Sequence, residues 1–142
     1  MKLRKATVVC LLALGAGEIL GAGTAQATDL NATDIESLLV GRYACGTGDD
    51  GETWDETLAS TGPFTGTVTD YKKGPGDAID PSTQVGTYTI NANNNTITYN
   101  YGSGGSFTYT VSNGTGTNAG PGTYTFTGPQ ILTITVSATH CL

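Results

Sequence analysis

The sequence predicts an all-β domain, an eight-stranded antiparallel up-and-down barrel that follows one short helix. The first observation is that eight segments alternate apolar and polar residues with a period of two, the pattern of half-buried strands. The second is that clusters of glycine, asparagine and proline connect these segments, nearly all short enough for neighbouring antiparallel strands. The third is that Cys45 and Cys141 are assigned to the first and the last strands, with Cys141 four residues beyond the periodic segment of the last strand. A β-sandwich is the second possibility for the same pattern.

The helix and the strands follow one another in a simple order. Residues 32–39, ATDIESLL, form the predicted helix, because apolar side chains recur on one face; Thr33 or Asp34 caps its start and Gly41 ends it. The predicted strands cover residues 41–46, 52–59, 64–71, 85–91, 96–101, 106–112, 123–127 and 131–137.

The predicted strands have one apolar face and one face that consists mostly of threonine. The apolar positions are Tyr88, Ile90, Ile97, Tyr99, Tyr101, Phe107, Tyr109, Val111, Tyr124, Phe126, Leu132, Ile134 and Val136. A sheet with one apolar face must bury it by closing or by folding over, and eight strands suffice for a barrel whose interior is filled or holds one small ligand. Tyr99, Phe107 and Phe126 are therefore predicted core residues.

Residues 1–27 have the features of a secretory signal peptide. Three basic side chains among the first five residues precede an apolar run, and Ala25-Gln26-Ala27 forms a small-x-small cleavage site. Removing this segment leaves residues 28–142, a single domain with three basic and eleven acidic residues and a net charge of −8. That charge argues against nucleic acid and anionic membranes as partners. We expect a secreted or periplasmic protein without stable membrane insertion.

The two cysteines of residues 28–142 are Cys45 and Cys141. In an oxidising compartment such a pair is expected to form one disulfide, which would join the first strand to the last and so favour closure of the barrel. Two cysteines and one histidine argue against zinc, and we expect no metal or cofactor. The histidine, His140, lies two residues from the C-terminus, where we expect it to be solvated. No catalytic triad can be assembled around it, so we expect no enzyme.

The segment 41–57, GRYACGTGDDGETWDET, concentrates the candidate binding residues. Trp54 and Glu56 share a parity, so if Trp54 points into the barrel Glu56 does too. A carboxylate buried there needs a hydrogen-bond donor, which the inward tyrosines can supply. The alternative is an outward Trp54 and a glutamate in water at the rim. The predicted ligand-binding residues are Tyr43, Trp54, Glu56, Tyr88, Tyr99 and Tyr109.

Two functions compete for this segment. The first is an exported, non-catalytic binding module for a small apolar or amphipathic ligand, which an open cavity lined by tyrosines would favour. The second is a protein-binding inhibitor or surface interaction protein, whose acidic rim meets a basic protein such as a lysozyme. For that rim the predicted partner-binding residues are Asp49, Asp50, Glu52 and Asp55. A filled interior, with these side chains concentrated on one edge, would favour the second function.

The order of the elements also carries a resemblance to a known family. A short helix that runs into Gly41-Arg42-Tyr43, followed by an eight-strand meander, resembles the lipocalin and wider calycin pattern, in which Gly-x-Trp opens the first strand and the aromatic residue closes the barrel floor. Tyr43 stands at the tryptophan position. Small bacterial calycin-like domains, including exported inhibitors of lysozymes and proteases, are similar in size, single disulfide and export. The resemblance implies a barrel architecture, and function has to be argued from the site.

Overall fold

The described residues form a closed antiparallel barrel with one short helix. The computed structural model describes residues 28–48, 51–74, 76, 78–113 and 120–142, so the predicted signal peptide, Asp49 and Asp50 lie outside the described residues. The helix is α1 (Ala32–Leu39), and a 3-10 turn covers Gly102–Gly104. The strands are β1 (Thr28–Asp29), β2 (Tyr43–Thr47), β3 (Thr53–Gly62), β4 (Thr65–Lys73), β5 (Thr83–Asn91), β6 (Thr96–Asn100), β7 (Ser106–Asn113), β8 (Gly122–Thr127) and β9 (Ile131–Ser137).

Strands β2 to β9 are the eight predicted strands, and each pairs with the next along the chain. The barrel closes because β2 also pairs with β9, with Cys45 opposite Thr135. The up-and-down barrel is thus confirmed and the sandwich is wrong. Strand β1 was not predicted; its two residues pair with Ser112 and Asn113 of β7, and two residues are too few for alternation to reveal a strand.

Helix α1 covers one end of the barrel. Its residues Ile35, Leu38 and Leu39 are buried, which places the apolar face of the helix in the core as the spacing predicted. The Glu36 carboxylate accepts a hydrogen bond of 2.9 Å from the backbone N–H of Phe64, in the turn between β3 and β4. This end of the barrel is therefore closed. None of the described helices is long and apolar enough to cross a membrane.

The start of α1 differs from the prediction. Asn31, and not Thr33 or Asp34, is the N-cap: its side-chain oxygen accepts a hydrogen bond of 3.0 Å from the backbone N–H of Asp34. Asp34 is thereby the third helical residue, and its carboxylate accepts a hydrogen bond of 2.7 Å from the Asn31 amide. Gly41 follows the helix at φ 73°, a backbone conformation that favours glycine.

The predicted facing of the strands is confirmed. Ten of the thirteen apolar positions are buried, and Tyr101, Phe107 and Leu132 are half-buried because they line the cavity described below. Phe107 is therefore a wall residue and not the fully buried core residue that was predicted. The threonines of the alternate positions, such as Thr125, are exposed or half-buried. The strands thus direct their apolar side chains into the barrel and their threonine side chains outward.

The disulfide between Cys45 and Cys141 is present. Its place in the fold differs from the prediction. Strand β9 ends at Ser137, so Cys141 lies four residues beyond it, in the C-terminal tail and not in the last strand. Cys45 points to the outer face of β2, since its neighbour Ala44 lines the interior. The bond therefore fastens the tail, residues 138–142, to the outside of the barrel.

Candidate functional site

A cavity of about 430 Å³ occupies the half of the barrel that faces away from α1. Its walls include residues at the far ends of the hairpins: Lys72 at the end of β4, Gly104 between β6 and β7, and Gln130 between β8 and β9. In an antiparallel meander these positions lie at the end opposite the β3–β4 turn, which α1 covers. The lining residues are Ala44, Trp54, Glu56, Asp70, Lys72, Val85, Tyr99, Tyr101, Gly104, Phe107, Tyr109, Phe126, Gln130, Leu132 and Ile134.

Aromatic rings from three neighbouring strands and the turn after β6 form one wall of the cavity. Tyr99 and Tyr101 stack with their centroids 6.1 Å apart, and Tyr109 meets Tyr99 edge-on at 6.3 Å. Phe107 packs on Tyr101 and Phe126 packs on Tyr109, each pair with centroids 6.1 Å apart. Because each ring is held by another ring, the wall is preformed and needs little rearrangement to receive a ligand.

Trp54 lies on the wall formed by β2 and β3, where a glycine leaves room for it. Gly46 is paired with Trp54 across the two strands, and a Cβ atom on Gly46 would overlap the indole ring. The half-buried indole thus lies against the backbone of β2 and contributes an apolar surface to the cavity. The sequence left the direction of Trp54 open, and of the two alternatives the inward one agrees with this position.

Charged side chains from β3 and β4 form the polar part of the cavity wall. Glu56 and Asp70 are directly paired across the two strands, and both line the cavity. The Tyr101 hydroxyl donates to the Glu56 carboxylate, with O···O distances of 2.8 and 3.0 Å to its two oxygens. The Lys72 ammonium lies 3.6 Å from an Asp70 oxygen and 3.8 Å from a Glu52 oxygen.

The burial of these groups changes their protonation. Burial raises the pKa of Glu56 to about 7; the hydrogen bond from Tyr101 and the charge of Lys72 oppose the rise, while the nearby Asp70 carboxylate adds to it. Burial also raises the pKa of Asp70, against the opposing effect of Lys72. Glu56 is therefore divided between its neutral and charged forms near neutral pH, which is unusual for a carboxyl group.

The structure brings four of the six predicted ligand-binding residues together in the cavity wall: Trp54, Glu56, Tyr99 and Tyr109. Tyr88 and Tyr43 are not among the lining residues. Tyr88 is buried and its ring packs in the core. Tyr43 points outward, because alternation along β2 gives the inward positions to Ala44 and Gly46.

The predicted ligand-binding set leaves out six polar or aromatic members of the wall: Asp70, Lys72, Tyr101, Phe107, Phe126 and Gln130. Asp70 and Lys72 continue the inward parity of Val68, which is fully buried, so the alternation of β4 contained a signal for both. Tyr101 lies on the apolar parity of β6, one residue beyond the end of that strand, and is one of the inward tyrosines predicted as possible donors to Glu56. Which of these tyrosines donates to Glu56 is visible only in three dimensions.

The residues of the predicted acidic rim do not form one described surface. Asp49 and Asp50 lie outside the described residues, and Glu52 is half-buried near Lys72. Asp55 is fully buried, with 0% of its side chain exposed, so its assignment to an exposed rim is wrong. The reason is that the C-terminal tail covers the outer face of β3, where alternation would otherwise expose Asp55 to water.

His140 is part of that tail and is held by contacts that its place in the sequence does not reveal. Its Nδ1 lies 3.1 Å from a carboxylate oxygen of Asp55, which also accepts a hydrogen bond of 3.1 Å from the backbone N–H of Cys141. The imidazole packs against the rings of Tyr43 and Tyr71, with centroids 4.0 and 4.5 Å away. His140 is thus partly solvated, as expected, with 40% of its side chain exposed, but it is also held in place by these contacts.

The disulfide sulfurs belong to the same cluster. The sulfur atoms of Cys45 and Cys141 and a carboxylate oxygen of Asp55 lie within 4.8 Å of one another. Since the two sulfurs are bonded to each other, they offer no thiolate ligand to a metal ion. The arrangement serves to hold the tail against the barrel.

Comparisons of the chain with protein-family models, with curated proteins and with solved structures found no match. The closed eight-stranded barrel is consistent with a lipocalin-like architecture, and the resemblance extends no further than that architecture. What the cavity binds must therefore be inferred from the residues that line it.

Proposed function

We propose that this protein is an exported, non-catalytic binding module that holds a small apolar or amphipathic ligand inside its barrel. The observation that carries the proposal is the cavity of about 430 Å³, closed at one end by α1 and bounded mainly by aromatic and aliphatic side chains. A volume of this size lies in the ordinary range for small-molecule sites, roughly 300–1,000 Å³.

The composition of the wall supports an amphipathic ligand. Stacked rings cover the region near β6 to β8, whereas Glu56, Asp70 and Lys72 lie together on β3 and β4. A ligand with an apolar body and a polar end can satisfy both regions at once. Few polar groups set among apolar walls are typical of sites that orient a bound molecule.

The lining residues argue against catalysis of the acyl-transfer kind. Among the described residues of the wall there is no serine, threonine, cysteine or histidine. The nucleophile and base pair of common acyl-transfer sites therefore has no candidates there. Asp55 and His140 lie on the outer face of the barrel, away from the cavity.

Export to the periplasm or the medium is part of the proposal. The disulfide is the supporting observation, since such bonds form and persist in oxidising compartments. The signal-like pattern of residues 1–27 points to the same destination.

Titration with the neutral fluorescent probe N-phenyl-1-naphthylamine tests the binding function. We expect its emission to rise and saturate on binding. Leu132→Trp fills the cavity and is expected to weaken binding at least tenfold, whereas Ile131→Trp changes the neighbouring residue on β9, which is 73% exposed, and is expected to bind as the wild type does. Equal weakening by both substitutions, or no saturable binding, would overturn the proposal.

The acidic-rim hypothesis predicts a different result in the same samples. Three results together would support it: the protein captures a basic protein such as lysozyme, the double substitution Asp49→Asn and Asp50→Asn abolishes this capture, and the probe does not bind. The inhibitor function would then replace the ligand-binding function proposed here. Salt sensitivity of that capture would support attraction between exposed charges.

A further inference from the structure

The Glu56 carboxylate lies in the cavity wall, and among the described residues no cation is within ion-pair distance of it. Within the described part of the chain, the group that contacts it is the neutral hydroxyl of Tyr101. The cation that lines the same cavity is Lys72, and its ammonium is within ion-pair distance of Asp70 and Glu52 instead. The cavity thus contains a desolvated carboxylate whose charge the protein does not neutralise by direct contact.

A second carboxylate increases the negative potential at the same place. Asp70 is paired directly with Glu56 across β3 and β4, so the two acidic side chains extend from adjacent positions into one cavity. Two carboxylates against one ammonium leave this part of the wall net negative whenever both are ionised. A cation that enters the cavity is attracted, and an anion is repelled.

The aromatic side chains favour a cation of an organic kind. Trp54 neighbours Glu56 on the inward face of β3, and the Tyr101 ring belongs to the stacked group that includes Tyr99. The faces of indole and phenol rings attract ammonium groups, and the same rings bury the hydrocarbon part of an organic amine. A hydrated inorganic cation would gain nothing from this apolar wall.

We propose that the ligand is an organic amine, whose protonated nitrogen lies at the Glu56 carboxylate and whose apolar body lies against the aromatic wall. This inference rests on the proposed binding function and names its ligand class. The amine would replace solvation that Glu56 lost on folding, and Tyr101 would hold the carboxylate oriented toward it through their hydrogen bond. A ligand with a carboxylate or phosphate group would instead be repelled by the negative charges of Glu56 and Asp70.

A series of three compounds with the same apolar body tests the charge of the preferred ligand. The compounds are 4-phenylbutylamine, 4-phenyl-1-butanol and 4-phenylbutyrate, and calorimetry with the folded, oxidised protein gives each dissociation constant. At pH 8 we expect the amine to bind about tenfold more tightly than the alcohol, and the carboxylate to bind most weakly. Trp54, the only tryptophan of the chain, supplies a second readout through its emission.

The pH dependence of the wild type supplies a test that needs no variant. The groups that face Glu56 are Asp70 and Lys72 from β4, with Tyr99 and Tyr101 from β6 and the turn that follows it. Because its pKa is about 7, Glu56 is mostly protonated at pH 6 and mostly ionised at pH 8. We expect amine affinity to rise about tenfold between these values, since only the ionised fraction pairs with the ammonium, while alcohol affinity stays constant.

Glu56→Gln and a matched control locate the effect. Glutamine keeps the shape and the hydrogen-bonding capacity of a neutral Glu56, so we expect alcohol binding to persist while both the preference for the amine and its pH dependence disappear. Asp80→Asn removes one charge from the exposed loop that follows β4 and is expected to bind as the wild type does. Alcohol binding in the variant also reports that the barrel is folded.

The outcomes separate this inference from the proposed function. If the alcohol or the carboxylate binds the wild type as tightly as the amine, the amine proposal is overturned while the binding function stands. A preference for the amine that survives Glu56→Gln would equally overturn it. If none of the three compounds and no naphthylamine probe binds, both proposals fail together.

Discussion

Replacing Glu56 by glutamine is expected to stabilise the protein at alkaline pH. Burial raises the pKa of Glu56 from 4.5 to about 7 in the folded protein, so the charged form is disfavoured inside the barrel relative to the unfolded chain. A difference of one pKa unit corresponds to about 1.4 kcal/mol of free energy, so the rise in the pKa of Glu56 corresponds to about 3 kcal/mol. Glutamine carries no charge and avoids this cost.

The sign of the effect sets its pH window. The pKa of Glu56 is higher in the folded protein than in the unfolded chain, so the folded protein keeps the Glu56 proton up to a higher pH. The free-energy cost of ionising Glu56 is therefore absent below about pH 4.5. The cost grows between 4.5 and 7 and is complete above 7. Relative to the variant, the wild type therefore loses stability as the pH rises through this window.

Urea unfolding of the oxidised protein at pH 4, 6 and 8 measures the difference in the free energy of unfolding. We expect the variant to match the wild type within about 0.5 kcal/mol at pH 4 and to exceed it by about 3 kcal/mol at pH 8. Asp80→Asn, in an exposed loop, should show no such trend. If the difference in the free energy of unfolding between wild type and variant does not change with pH, the burial of Glu56 is refuted, and with it the polar wall of the cavity.

Three further substitutions test other parts of the structure. Phe126→Ala removes a ring that is 3% exposed and is expected to cost about 3–5 kcal/mol, against about 0.5 kcal/mol or less for Thr125→Ala; the reverse order in urea melts would contradict the strand facing. Gly46→Ala forces the Trp54 indole away from β2, so a changed emission spectrum and a loss of about 1–3 kcal/mol are expected, and an unchanged spectrum would argue against this contact. Asp55→Asn weakens the attachment of the C-terminal tail and is expected to cost about 1–3 kcal/mol with the disulfide intact; a neutral result would mean that the disulfide alone holds the tail.

Local rules were sufficient to predict the barrel. Alternation assigns each strand residue to one face, and short connections make sequential strands pair, so the meander needs no long-range information. Closure was also predictable, because the apolar face shared by residues such as Tyr99, Phe126 and Ile134 had to be covered. Alternation likewise showed that Trp54 and Glu56 share one face, but not that this face is the inner one.

Two of the differences from the prediction, at Asp55 and His140, arise where the chain leaves the strand pattern. The tail after Ser137 has no periodicity, so the sequence could not show that it turns back over β3 and buries Asp55. The same tail contact explains why His140 is not freely solvated. Tyr43 was counted among the inward tyrosines, whereas the alternation that puts Ala44 inside places it on the outer face.

The central claim is that the barrel interior holds the ligand, and intermolecular nuclear Overhauser effects test it most directly. With the naphthylamine probe bound to isotope-labelled protein, we expect contacts from the probe to Tyr99, Phe126 and Leu132, all of which line the cavity. Contacts confined to the outer threonine face or to α1 would contradict the claim, because the probe would then bind outside a barrel whose interior stays empty of ligand.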